Sequence, residues 1–187
     1  MDRYRNPSLN KWEVLKSVEI ERYRIFSLKE VENRSPDSGK QGNFYVLDFP
    51  DWINVIPLTT NNEVVMVEQY RHGLDDITLE IPGGCVDPED PSPLFAAQRE
   101  LTEETGYSSD DWVEIGVNSP NPAINSNHCY SYLCRNTKLT QAQQLDGMEE
   151  IAVHLVPLDE IPELIQQKKI VHSLVITAFY FLDQHEK

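Results

Sequence analysis

The segment from Ser92 to Gly106 combines a run of acids with strong signals for the two ends of a helix. Ser92 suits the N-cap, and Pro93 suits the first helical position. Gly106 suits the left-handed residue that ends a helix. The sequence therefore predicts a helix at about residues 92–105. Its apolar stripe, which would dock on a hydrophobic core, consists of Leu94, Ala97 and Leu101.

Three glutamates share one face of this predicted helix. Glu100 is spaced i,i+3 from Glu103 and i,i+4 from Glu104, so their carboxylates crowd together. Such crowding weakens an isolated helix, but clustered carboxylate oxygens are what a hard divalent cation such as Mg²⁺ requires. Arg99 is spaced i,i+4 from Glu103, and a pair between them would orient the cluster. The alternative interpretation of the acidic run is a solvated helix face.

A glycine pair, Gly83-Gly84, follows an apolar strand upstream of this helix. Together the two segments resemble the Nudix box: Gly, five residues, Glu, seven residues, then Arg-Glu-apolar-x-Glu-Glu-x-Gly-apolar. Gly84 begins the box, and residues 99–107 complete it without a mismatch. The middle of the box departs from the pattern, because the loop carries one extra residue and either Glu89 or Asp90 can be the matching acid.

The resemblance to Nudix hydrolases covers about residues 50–185 and implies an α/β fold, an α/β/α sandwich with a mixed β-sheet. Residues 1–48 look like the small N-terminal β extension through which the branch that hydrolyses ADP-ribose and other nucleoside diphosphate sugars dimerises. We therefore expect a dimerisation extension at 1–48, a Nudix domain at 49–187, and a homodimer. Three further features support this branch: Glu68-Gln69-Tyr70-Arg71, Leu79-Glu80-Ile81-Pro82-Gly83-Gly84, and Pro122.

The implied activity is metal-dependent hydrolysis of the diphosphate linkage of a nucleoside diphosphate sugar, such as ADP-ribose or GDP-mannose. The products would be a nucleoside monophosphate and a sugar phosphate. The expected cofactor is Mg²⁺ or Mn²⁺, with Glu100, Glu103, Glu104 and, by family resemblance, the carbonyl of Gly83 as ligands. The alternative is a Nudix-fold module that senses such nucleotides without turnover. Modules of that kind usually lose box carboxylates, and this box retains all three.

Several carboxylates are candidates for the base that takes a proton from the attacking water. The box offers Glu103 or Glu104, whereas in the resembled branch a glutamate in a downstream loop often serves. The loop at 145–150 stands in the matching place. Its candidates, in order of preference, are Glu149, Glu150 and Asp146. A solvated turn of acids is the alternative interpretation of this loop.

Three other side chains are candidates for substrate binding. Arg71 could hold a phosphate by a bidentate contact, or form an ordinary surface ion pair. Glu80 could hydrogen-bond a base or ribose, or be structural. Trp52 could stack on a nucleobase, or be buried. His128 and His172 are interpreted as packed or surface residues, since neither has a partner at metal-ligand spacing.

The composition limits the partners of the chain. A formal charge of −15 argues against binding to nucleic acid or to a membrane surface through phosphates. An acidic protein that handles a negative diphosphate also needs a cation between the two. The sequence has no signal-peptide pattern and no span of about 20 apolar residues. Its three cysteines, Cys85, Cys129 and Cys134, lack metal-ligand spacing and predict reduced thiols in the cytoplasm.

Hydrophobic patterning predicts the remaining elements. Strands are expected within 12–31 and at 44–49, 52–58, 63–70, 112–116, 129–134 and 151–156. Helices are expected at 158–168 and 173–185, the second with Ser173 as its N-cap.

Overall fold

The computed structural model describes residues 9–187, which divide into two compact units. The first eight residues of the predicted extension lie outside the described part. Unit 1 comprises the chain up to Pro50 together with Asn121–Asn127, and unit 2 comprises Asp51–Pro120 and His128–Lys187. Between Asp51 and Lys187 the chain therefore leaves unit 2 once, for a segment of seven residues.

Unit 1 is a three-stranded antiparallel sheet in the order β1-β2-β3. Its strands are β1 (Glu13–Arg22), β2 (Ser27–Arg34) and β3 (Gln41–Asp48). The segment 121–127 lies beside β3, where the N–H of Leu47 donates to the carbonyl of Ile124. Every residue of β1 is exposed in the single chain. The strand nevertheless carries apolar side chains, among them Val14, Val18 and Ile20.

Unit 2 contains a four-stranded mixed sheet in the order β7-β4-β10-β9. The strands are β4 (Trp52–Pro57), β7 (Gly83–Cys85), β9 (Asp111–Asn118) and β10 (Cys129–Arg135). Strand β10 runs parallel to β4, and the other pairings are antiparallel. A second sheet, in the order β12-β5-β6, is antiparallel throughout. It consists of β5 (Glu63–Arg71), β6 (Asp76–Glu80) and β12 (Ile151–Pro157).

Helices pack on the mixed sheet through two separate apolar clusters. Helix α1 (Pro93–Thr105) buries Ala97 and Leu101 in a cluster with Ile53 and Val55 of β4. Helix α3 (Ser173–His185) buries Val175, Ala178 and Leu182 in a cluster with Ile56 and Leu133. Because neighbouring residues of a strand point to opposite faces, β4 contributes to both clusters. The predicted α/β/α arrangement with a mixed sheet is confirmed, although the strands of unit 2 form two main sheets.

The remaining elements are short. Strands β8 (Tyr107–Ser108) and β11 (Lys138–Leu139) form a two-stranded ribbon. The predicted helix at 158–168 is a 3₁₀ turn, Leu158–Glu160, followed by α2 (Ile161–Gln166). It stops before Lys168, whose φ is +60°. None of the helices within residues 9–187 is long and apolar enough to cross a bilayer.

Candidate active site

Helix α1 begins and ends at the residues that the sequence predicts. The Ser92 hydroxyl accepts a hydrogen bond from the Phe95 N–H at 3.2 Å, and the helix starts at Pro93. Gly106 has a φ of 76°, and its N–H donates to the Thr102 carbonyl at 2.9 Å. The predicted N-cap and left-handed stop are both confirmed. All three glutamates therefore lie inside the helix, where their spacing places them on one face.

The Gly83-Gly84 pair brings strand β7 directly against the acidic face of α1. The N–H of Gly83 donates to Oε2 of the buried Glu104 at 3.1 Å. A Cβ atom on Gly84 would overlap the carboxylate of Glu100. A Cβ on Gly83 would lie 2.5 Å from the carbonyl oxygen of Ile53. Glycine is therefore required at both positions for this close approach of backbone to carboxylates.

Arg99 connects the loop before α1 to the glutamate cluster. Its Nη1 atom donates to Glu100 and to Glu103, each at 3.0 Å, which confirms the predicted pair with Glu103. Its Nη2 atom donates to Oδ2 of Asp90 at 2.9 Å and to the carbonyl of Cys85 at 3.1 Å. The Asp90 side chain is 3% exposed, and the hydrogen bond from Arg99 lowers its pKa. Of the two candidate acids, Asp90 rather than Glu89 therefore holds Arg99, and Asp87 of the same loop adds an ion pair at 3.4 Å.

Two of the box glutamates lie where ionisation of a carboxyl group is unfavourable. Burial raises the pKa of Glu100 to about 7, against the opposing effect of Arg99. Burial also raises the pKa of Glu104 to about 8, and the nearby charge of Glu100 adds to the effect. The charge of Glu100 thus raises the cost of ionising Glu104. A cation placed between them would supply the compensation that the protein itself provides only in part.

The carboxylate oxygens of Glu100, Glu103 and Glu104 are the kind of ligand that a divalent cation prefers, but their side chains do not converge on one point. In the part of the chain that the structure describes, no three His, Cys, Asp or Glu side chains form a ready-made metal site. Glu100 and Glu103 turn toward Arg99, whereas Glu104 turns toward the Gly83 N–H. Rotation of these side chains would bring their oxygens together on one face of α1, since the helix already sets their spacing.

Arg71 and Glu80, both predicted to bind substrate, contact each other. The Nε and Nη2 atoms of Arg71 donate to the two carboxylate oxygens of Glu80 at 2.9 and 2.6 Å. Glu80 also accepts from the Thr78 hydroxyl at 2.6 Å, and its Oε2 lies 3.0 Å from Nδ1 of His172. Burial by itself raises the pKa of Glu80, but the hydrogen bonds from Arg71 and His172 outweigh it and hold the pKa well below its usual range.

The contact between Glu80 and His172 also explains how α3 begins. Ser173, the predicted N-cap, is the first residue inside the helix, and His172 occupies the cap position. The His172 side chain makes no capping hydrogen bond, because its Nδ1 atom faces Glu80. Trp52, the third predicted substrate residue, begins β4 opposite Cys85 and is partly buried.

Glu149 lies within electrostatic range of the cluster, because its charge contributes to the raised pKa of both Glu100 and Glu104. Its carboxylate accepts the N–H of Asp146 at 3.1 Å, and its own N–H donates to the Asp146 carbonyl at 2.9 Å. Glu149 thus closes a tight turn, and Glu150 follows it as an exposed residue before β12.

The segment that leads to Glu149 is attached to the end of α1, a feature that the sequence does not predict. The N–H of Gln144 donates to the Glu103 carbonyl at 2.9 Å, and Nε2 of Gln143 donates to the Glu104 carbonyl at 2.6 Å. Two further backbone N–H groups, of residues 140 and 141, donate to the carbonyl of Gly106. The carbonyls at the end of a helix lack partners within it, and here the loop supplies them.

Comparison with known proteins identifies the family. Residues 50–177 match the NUDIX domain model, so the chain belongs to the Nudix family. It is 31% identical over 174 residues to the methanol dehydrogenase activator of Bacillus methanolicus, covering 92% of each chain. It is 26% identical over 180 residues to the ADP-ribose pyrophosphatase of Bacillus subtilis, covering 92% of this chain and 97% of that one.

A solved structure shows the same fold. A crystal structure of an ADP compounds hydrolase has a TM-score of 0.82 to this chain and 20% sequence identity, covering 96% of each. With these relatives, the predicted Nudix hydrolase fold and the resemblance to the ADP-ribose pyrophosphatase branch are confirmed.

Proposed function

We propose that this chain hydrolyses the diphosphate linkage of ADP-ribose or a related nucleoside diphosphate sugar, GDP-mannose being one, to a nucleoside monophosphate and a sugar phosphate. The observation that carries the proposal is the pair Glu100 and Glu104, whose carboxyl groups are buried together beside the Gly83-Gly84 turn. The relative from Bacillus subtilis, named for the hydrolysis of ADP-ribose, supports the substrate class.

Mg²⁺ or Mn²⁺ is the cofactor that we propose, because hard cations take carboxylate and carbonyl oxygens. Glu100, Glu103, Glu104 and the carbonyl of Gly83 would hold it. Such an ion, when bound, reduces the charge repulsion around the diphosphate, polarises phosphorus and acidifies an attacking water. Arg99, which contacts both Glu100 and Glu103 in the free chain, would keep these two side chains on one side of α1.

Glu149 is our proposed base, ahead of Glu150 and Glu103. Its charge acts on two of the proposed ligands, which supports a position of its loop near them. In the free chain, its carboxylate accepts a hydrogen bond from the backbone N–H of Asp146 in its own turn. Release of that turn would free the side chain to take the proton from water.

On the substrate side, we propose that Arg71 holds a phosphate and that Trp52 contributes to binding of the base. Two of the five N–H groups of Arg71 are used by Glu80, and 42% of its side chain is exposed. The electrostatic effect between Arg71 and Glu104 supports a position near the metal ligands. An arginine with free donors there suits a negatively charged diphosphate.

We further propose a cytoplasmic homodimer in which residues 1–48 form the dimerisation extension and 49–187 the Nudix domain. The exposed apolar side chains of β1 support the dimer, since several exposed apolar side chains on one strand are typical of an interaction site. The three cysteines carry free thiols, which supports a reducing compartment.

A panel of nucleoside diphosphate sugars, assayed with Mg²⁺, with Mn²⁺ and with a chelator, tests the proposal. We expect hydrolysis that needs metal and falls by about two to four orders of magnitude in Glu103→Gln and Glu104→Gln. The matched control is Glu163→Gln, an exposed helical glutamate that should retain normal rates. Binding of nucleotide without turnover would instead support a sensing module.

A second candidate comes from the Bacillus methanolicus relative, which is named for activating a methanol dehydrogenase. The experiment is the rate of methanol oxidation by such a dehydrogenase with wild-type chain and with Glu104→Gln. Loss of activation in Glu104→Gln would show that hydrolysis and activation depend on the same site. Normal activation by Glu104→Gln would show that activation does not depend on hydrolysis at this site.

A further inference from the structure

The buried carboxylate of Glu80 has no capacity left for a ligand. Oε1 accepts from Nε of Arg71 and from the Thr78 hydroxyl, and Oε2 accepts from Nη2 of Arg71 and faces Nδ1 of His172. Two acceptor sites on each oxygen are thereby used. Only 2% of the Glu80 side chain is exposed. A substrate group therefore cannot reach Glu80 without breaking one of these bonds.

The direction of the His172 contact follows from the charge state of Glu80. Because the pKa of Glu80 is lowered, the carboxylate is ionised at neutral pH and accepts hydrogen bonds only. Nδ1 of His172 must then be the donor, with its hydrogen directed at Oε2. The imidazole is locked in this orientation at the residue where α3 begins.

Arg71 contacts Glu80 and also lies within electrostatic range of Glu104 in the candidate active site. Strand register places Arg71 opposite Asp76 and Glu80 opposite Val67, so the arginine side chain runs back along β5 to reach Glu80. In that position it interacts electrostatically with Glu104. If Arg71 were released from Glu80, its long side chain would sample many rotamers. Two neighbouring acids, Asp75 and Asp76, would then compete for its guanidinium.

We propose that His172 and Glu80 are positioning residues that hold the guanidinium of Arg71 in place for the diphosphate of the substrate. Glu80 fixes two N–H groups of the arginine, and His172 holds Oε2 of Glu80. The remaining donors of Arg71 are then ready for phosphate oxygens before substrate arrives, which reduces the entropy lost on binding. This proposal rests on the proposed function, and it gives Glu80 a role without direct substrate contact.

The test compares His172→Ala with wild type in two measurements. In steady-state kinetics, we expect KM for the nucleotide sugar to rise by about three- to tenfold with kcat changed less than about twofold. In the substrate-free protein, we expect the Nε–H signal of Arg71, followed by ¹⁵N NMR, to exchange with water about tenfold faster. His172→Asn, which keeps an N–H donor near the Nδ1 position, should restore both.

The control is His154→Ala. His154 also faces a glutamate, with Nε2 3.4 Å from Oε2 of Glu68 on the neighbouring strand. That pair is half-exposed, so its loss should leave both measurements at wild-type values. Equal effects of the two alanine variants would overturn the proposal, as would an unchanged Arg71 signal in His172→Ala.

A double variant separates positioning from general destabilisation. Arg71→Ala with His172→Ala should have the KM of Arg71→Ala alone, because His172 acts through the arginine. Additive effects would overturn the proposal. If His172→Ala does not fold, His172→Gln replaces it in the test, because the N–H donor of glutamine lies one bond farther from the backbone than Nδ1 of histidine. His172→Asn must then be closer to wild type than His172→Gln in both measurements. Failure of the proposed function would appear as no turnover by wild type, and the Arg71 signal then decides the positioning role by itself.

Discussion

Gly84 and Glu100 lie so close together that a single added methyl group on Gly84 would occupy the space of the Glu100 carboxylate. We predict that Gly84→Ala folds, because the displaced atoms are the end of a flexible side chain. Its divalent-metal affinity, measured by isothermal titration calorimetry, should fall by about tenfold or more. Gly42→Ala, where the new methyl meets only ordinary contacts with Phe44, is the control and should bind metal normally.

Asp90 should matter to activity far more than its neighbour Glu89. Asp90→Asn weakens the ion pair that holds Arg99, and Arg99 in turn orients Glu100 and Glu103. We expect a fall in metal affinity of about tenfold, as for other residues that orient metal ligands. Glu89→Gln is the matched variant and should be normal in the same titration. The reverse order would show that Asp90 does not hold the box arginine in solution.

Local signals in the sequence were sufficient to predict the part of the site that α1 carries. Cap residues act within one turn, and residues spaced by three or four positions meet on a helix whatever surrounds it. Ser92, Gly106 and the pair between Arg99 and Glu103 were therefore predictable. The choice between Glu89 and Asp90 was not, because the loop has an irregular length and only its path decides which acid faces Arg99.

Contacts between distant segments had no signal in the sequence. Glu80 and His172 are separated by 92 positions, and neither stands in a pattern that indicates the other. The sequence placed Glu80 among substrate residues because of the motif around it. Ser173 was predicted as a cap from its type alone, whereas the adjacent histidine takes that place. Burial and strand register decide such pairings, and both depend on the complete fold.

Glu149 should act on the rate constant rather than on affinity. A base works in the transition state, so Glu149→Gln should lower kcat by about two orders of magnitude or more with little change in KM. Glu150→Gln, its immediate neighbour, is the matched control and should stay within about threefold of wild type. If only the Glu150 variant is inactive at saturating metal, our choice between the two residues is wrong.

Glu80 should make the stability of the chain depend on acidity. Its pKa in the folded state is held below the ordinary value of 4.5. Its contribution is therefore present above about pH 4.5 and is lost as the pH falls below it toward the folded pKa. We expect Glu80→Gln to lower the free energy of unfolding in urea by about 2–3 kcal/mol at pH 7. The difference from wild type should shrink by pH 3.

The half-exposed Glu68, which faces His154, provides the comparison for that experiment. Glu68→Gln should change the unfolding curve little at either pH, because solvent screens an exposed pair. A constant difference between wild type and Glu80→Gln from pH 7 to pH 3 would contradict the assignment of an ionised Glu80.

The exposed apolar side chains of β1 should form the contact between two copies. Light scattering at micromolar concentration should give a dimer for wild type. Val14→Lys combined with Val18→Lys should shift it toward monomer, because two buried lysines per copy would have to lose their hydration. Tyr180→Lys, an exposed aromatic of α3, is the control and should remain dimeric. A monomeric wild type would contradict this prediction.

The attachment of Gln143 and Gln144 to the last carbonyls of α1 has a consequence for how this chain can diverge. The next ordered anchor is β12, which starts at Ile151, so residues 145–150 bridge two fixed points with few ties to the core. The entropic cost of closing a flexible loop rises by only about 0.6 kcal/mol for each doubling of its length. Insertions and substitutions in this bridge can therefore accumulate without loss of the fold, while its starting point stays on the helix that carries the acidic cluster.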